Sequence, residues 1–121
     1  MKWYRQLYLS EKAREQRKTM IKKFKDGALH PRLYVIALPS NKENLLDILP
    51  QPVLLQEHYK KAGISVVGIA CSKQEAMELS GMIVMDAYRA TGSTDVESYL
   101  GDDFGSVPEE GFDGKERYRE W

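Results

Sequence analysis

The stretch Ile64-Ser65-Val66-Val67-Gly68-Ile69-Ala70 constrains the fold more than any other part of the chain. It is of strand length, rich in β-branched residues, and its apolar positions do not alternate with polar ones. A strand apolar on both faces must be covered on both, which predicts a central strand with helices packed around it. Leu33 to Leu38, just beyond Pro31, repeats the pattern and predicts a second buried strand, read as parallel. Trp3 to Leu9 reads as a short strand ending at Ser10, although Trp3, Tyr4, Leu7 and Tyr8 also fit helical spacing.

Helical patterns alternate with these strands. Residues 11–25 are strong helix formers with a thin stripe of Ala13, Met20, Ile21 and Phe24, stopped by Gly27. Ser40-Asn41-Lys42-Glu43 has the letters of a capping box and predicts a short helix over Leu45, Leu46, Ile48 and Leu49, broken by Pro50 and Pro52. Residues 53–61 read as another short helix ended by Gly63. Ser72-Lys73-Gln74-Glu75 opens the longest and most apolar helix, closed by Gly92, and Thr94 to Leu100 adds a further turn or two. The expected architecture is α/β: a small sheet of about three strands in the order strand, helix, strand, helices, strand, helix. Crossovers between parallel strands are right-handed. The whole is read as one domain over residues 1–100, followed by a flexible, acidic, glycine-containing tail over 101–121 with Phe104, Phe112, Tyr118 and Trp121 scattered in it.

Several kinds of chemistry are excluded by what the residues lack. Neither a P-loop nor a Gly-x-Gly-x-x-Gly loop occurs. Cys71 stands at a strand-to-helix junction, where a helix dipole lowers thiol pKa values, but a phosphatase arginine six residues on is replaced by Met77. One cysteine and two distant histidines, His30 and His58, make no zinc motif, and Asp102, Asp103 and Asp113 lack EF-hand spacing. Neither metal nor cofactor is expected. No apolar run is long enough to span a bilayer, and the first residues lack the apolar core of a leader, so a cytoplasmic location without membrane partners is expected.

Charge carries more information. Residues 1–32 hold ten Lys and Arg against three Asp and Glu, and residues 73–121 hold five against twelve, although the whole chain balances at 18 and 18. Such polarity speaks to partners rather than to fold. Lys12, Arg14, Arg17, Lys18, Lys22, Lys23 and Lys25 fill most exposed positions of the helix over 11–25, a candidate interaction surface that could also track phosphates. Ser10, Ser40 and Ser72 follow the three strands. If those strands are parallel, three helix N-termini share one sheet edge, a candidate anion site.

From Leu33 to Leu100, with the helix before it, the chain also resembles a group of short bacterial α/β proteins of unknown function. The matching pieces are Tyr34-Val35-Ile36-Ala37-Leu38, Asn44-Leu45-Leu46-Asp47-Ile48-Leu49-Pro50, Val67-Gly68-Ile69-Ala70, Glu75-Ala76 and Tyr88-Arg89-Ala90-Thr91-Gly92. The resemblance implies a compact bacterial α/β domain and transfers no site. The reading that follows is a non-enzymatic protein-interaction or regulatory module, with a protein partner or self-association. Its alternatives are a nucleic-acid-binding protein using helix 11–25 and a small enzyme acting on an anionic molecule at the serine edge.

Overall fold

In the computed structural model, which describes residues 1–41 and 43–109, the Ile64–Ala70 run becomes the central strand of a five-stranded mixed sheet. The strands are β1 (Lys2–Leu9), β2 (Tyr34–Ala37), β3 (Asp47–Pro50), β4 (Ser65–Ala70) and β5 (Phe104–Gly105), in the order β3-β2-β4-β1-β5. Every residue from Val66 to Ala70 is buried, as a strand covered on both faces requires.

Two layers of helix supply that cover. On one face β1, β2 and β4 contribute Trp3, Leu7, Leu9, Val35, Val66 and Ile69. These pack on Ala13 of α1 (Glu11–Glu15), Met20 and Ile21 of α2 (Arg17–Asp26), and Leu54 of a 3-10 turn over Gln51–Leu55. A short α3 (Glu57–Lys61) follows the turn. On the other face Tyr4, Tyr8, Ile36, Val67 and Ala70 meet Ala76, Leu79, Met82, Ile83 and Ala87 of α4 (Lys73–Thr91), with Val96 and Leu100 of α5 (Val96–Leu100). Gly68 lies close against Tyr8, its register partner on the neighbouring strand β1. A Cβ there would stand 3.1 Å from the Tyr8 carbonyl oxygen and 3.2 Å from Tyr8 Cβ. Gly68→Val should therefore cost about 2 kcal/mol by overpacking, read in a denaturant titration. A neutral result would show that β1 yields at Tyr8.

Five expectations need correction. The sheet has five strands rather than three. Only β1 and β4 run parallel, whereas β2 is antiparallel to both of its neighbours. The segment expected to be helical after Ser40 is a loop and then an edge strand. The Asp47 carboxylate accepts from Ser40 N at 2.9 Å, Ser40 Oγ at 3.0 Å and Asn44 Nδ2 at 3.4 Å, and this staple turns the chain back. Ile48 and Leu49 then pair with Ile36 and Val35. A five-residue helix would have left the backbone of β2 without partners on that side, a larger loss than its few internal bonds could offset. Pro50 is tolerated because β3 lies at the sheet edge.

The helix expected over 11–25 is broken at Gln16, whose φ of −105° and ψ of 17° let α1 and α2 each turn an apolar side to the sheet. The tail is the fifth correction. Up to Glu109 it is not free. Arg5 N donates to the Asp103 carbonyl at 2.8 Å, and Phe104 and Gly105 pair antiparallel with Tyr4 and Trp3. The Phe104 ring sits 5.5 Å from that of Tyr4, and Val107 joins the opposite core. Residues 110–121, with Phe112, Tyr118 and Trp121, lie outside the described residues.

Candidate functional site

Strand direction decides which candidate residues meet. Because β1 and β4 are parallel, Ser10 and Ser72 stand at the same sheet edge, where Ser10 N donates to the Ile69 carbonyl at 3.0 Å. Ser10 Oγ accepts from Ala13 N at 3.2 Å, and Ser72 Oγ accepts from Glu75 N at 3.1 Å. Ser40 lies at the opposite edge, because β2 runs the other way, so the three serines do not share a site. The shared edge is also poor ground for an anion. The Glu75 carboxylate already accepts from Cys71 N at 3.3 Å, and Glu11 stands in the first turn of α1.

Cys71 is half-buried at this edge. Burial pushes its thiol above the ordinary range, Glu75 and Glu15 add to that, and Lys12 opposes it only in part. Thiolate is the reactive form, so Cys71 should be alkylated by iodoacetamide at neutral pH more slowly than a free cysteine in solution. Faster labelling than the free thiol would restore it as a candidate nucleophile.

The cationic surface is assembled by α1 and α2. Lys18, Lys22 and Lys25 recur at i, i+4 and i+7 and so line one flank of α2, with Lys23 turned to the other. Lys12, Lys18 and Lys22 are exposed, and their ammonium groups form no ion pair among the described residues. Lys25 Nζ lies 3.7 Å from the exposed Glu109 carboxylate, a contact of small energy. Arg17 is drawn inward, its Nη1 donating to the Arg14 carbonyl at 3.0 Å.

Lys23 acts at a distance on the loop beyond α2. Burial, with the Lys23 charge second, holds the His30 imidazole below its ordinary value of 6.5. Among the described residues His30 Nδ1 is buried without a hydrogen-bond partner on another residue. The unfolded chain therefore binds this proton first as pH falls. The stability tied to neutral His30 is complete above 6.5, is lost between 6.5 and the lower folded value, and then levels off. Urea titrations from about pH 7.5 to 5 should show this decline in the parent, and His30→Phe should flatten it.

At the edge away from Ser10 and Ser72, the ends of β2, β3 and β4 and the end of α3 enclose a cleft of about 310 Å³. Leu38, Leu49 and Ile64 form its apolar wall, with Ser40, Asp47, His58, Tyr59, Ser65 and Glu97 as its polar lining. The His58 and Tyr59 rings meet edge to face at 5.1 Å. A shallower hollow of about 620 Å³ adjoins it, sharing Pro39, Ser40 and Glu97 and adding Asp95. Serine hydroxyl and backbone donors from Ser98 hold the Asp95 carboxyl below the usual carboxylate range. Ser40 apart, none of these residues was singled out from sequence as a site. They come from four separate segments, and no spacing rule joins them.

Comparison with protein-family models, with characterised proteins and with solved structures finds no match. Among the described residues no helix is long and apolar enough to cross a membrane, and no group of three or more His, Cys, Asp or Glu could hold a metal ion.

Proposed function

We propose that the protein is a non-enzymatic interaction or regulatory module whose contact surface is the cationic face of α1 and α2, and that its partner is the acidic surface of another protein. The observation that carries this reading is that Lys12, Lys18 and Lys22 are exposed on α1 and α2 and that their ammonium groups form no ion pair among the described residues. Like charges gathered on one rigid surface repel one another, and a complementary surface relieves that repulsion while steering encounter. A cytoplasmic location and kinship with short bacterial α/β proteins belong to the same proposal.

The polyanionic alternative, a nucleic acid, draws on the same charges. It is less favoured because Phe24, the one aromatic residue on these helices, is turned away. Its ring packs edge-on against Trp3 at 5.0 Å and leaves no stacking platform among the lysines.

The test is affinity capture from native lysate, with and without nuclease, using the parent and the triple variant Lys12→Glu, Lys18→Glu, Lys22→Glu. A protein partner should survive nuclease and be lost in the variant. The variant should keep its fold within about 1 kcal/mol, because exposed charges contribute little. No duplex binding tighter than about micromolar is expected at physiological salt. Salt-resistant binding below that would put the nucleic-acid reading in first place.

A further inference from the structure

We infer that the cleft between the ends of β2, β3 and β4 and the end of α3 is a binding site for a small organic cation, an ammonium or guanidinium group carried on an apolar body. Its volume of about 310 Å³ falls in the range of small-molecule sites, and it has their usual make-up of an apolar wall with a few polar groups. The choice of cation follows from the lining. Two acidic residues, Asp47 and Glu97, line a space with no lysine or arginine among its described lining residues. An anion entering it would meet like charge. The two carboxylates also differ in their engagement. Asp47 is occupied by the Ser40 and Asn44 donors, whereas the Glu97 carboxylate has no hydrogen bond or ion pair among the described residues.

Glu97 is therefore the group a ligand ammonium would engage, and Asp47 adds long-range attraction. The Tyr59 ring, half-buried against the sheet and braced by His58, offers an aromatic surface to a cation or to the apolar body behind it. Asp95 in the adjoining hollow extends the negative potential along the approach. The same chemistry could be presented by a free amine or by an arginine or lysine side chain of a peptide. This site shares no residue with the cationic face of α1 and α2, so the two proposals stand or fall separately.

Titrations followed by backbone amide chemical shifts decide the matter with three probes. Tyramine stands for the free amine and N-acetyl-argininamide for a peptide side chain. 4-Hydroxyphenylpropanoate, similar in shape to tyramine and opposite in charge, is the control. At least one cation should shift the amides of Ser40, Ser65 and Glu97, while the anion should leave them unmoved. Glu97 is exposed, so Glu97→Gln should fold normally and should weaken the cation roughly tenfold by removing a charge-assisted contact. Binding of tyramine assigns a free amine as the source, and binding of the argininamide alone assigns a peptide. The inference is overturned if neither cation shifts these amides at ten-millimolar concentration, if the anion shifts them equally, or if Glu97→Gln binds as the parent does.

Discussion

Truncation after Leu100 should destabilise the protein by about 3 kcal/mol, lowering the melting temperature by roughly 10 °C. The sequence pattern points the other way, toward a dispensable tail, because residues 101–109 include two glycines and few apolar positions. The deleted segment nevertheless carries β5. Without it the β1 edge loses its ladder at Tyr4 and Trp3, Tyr4 loses the Phe104 ring, and Arg5 loses both the Asp103 carbonyl and the Asp103 carboxylate at 3.2 Å. A bared edge strand also invites pairing between molecules, so the shortened chain should self-associate as it is concentrated. Two controls separate the contributions. Truncation after Glu109 should leave the described contacts intact, and Phe104→Ala alone should reproduce about 1–2 kcal/mol of the loss. A chain ending at Leu100 that melts within a degree or two of the parent would show that β5 is carried by the sheet and not needed by it.

Gln51→Leu is expected to cost about 3 kcal/mol although it replaces a polar side chain with an apolar one of similar size in the core. Gln51 is only 1% exposed, and its amide is used at both ends. Oε1 accepts from His30 N at 2.8 Å, and Nε2 donates to the Ala28 carbonyl at 2.9 Å. It thereby clamps the loop between α2 and β2 against the 3-10 turn, while its own backbone N–H reaches the Leu33 carbonyl at 2.8 Å. Leucine would leave two main-chain groups without partners, and each carries its own desolvation penalty of about 1–3 kcal/mol. Gln51→Glu is a sharper probe, since it keeps the acceptor for His30 N, loses the donor to Ala28 and buries a charge when ionised. Its stability should fall as pH rises through the carboxyl pKa, the reverse of the trend at His30. A leucine variant as stable as the parent would mean that water replaces the amide at both sites.

Much of the frame is legible residue by residue. Ser72 and Gly92 bracket α4 as the capping pattern indicates, and Gly92 takes the left-handed φ of 76° that suits glycine at a helix end. The apolar run to Ala70 demands a central strand. By contrast, nothing near Gln51 marks it as a clamp, because its partners at Ala28 and His30 stand more than twenty residues upstream. The cleft is hidden for the same reason, since Glu97 and His58 come to line one space only once α5 and α3 have docked.

The sequence by itself therefore determined the α/β class, the central strand, the α4 boundaries and the polarity of charge, all of which follow from local propensity, capping and periodicity. Tertiary structure alone decided whether Ile48 and Leu49 would be helix or strand, which way β2 would run, and that Phe104 and Gly105 would complete the sheet. These choices turn on which backbone groups lack partners after the central strands have met. Ser40-Asn41-Lys42-Glu43 has the letters of a helix start, but the open edge of β2 offered the next residues a row of hydrogen bonds that no five-residue helix could match. That row forms between residues far apart in the chain, and so it leaves no mark in the local pattern.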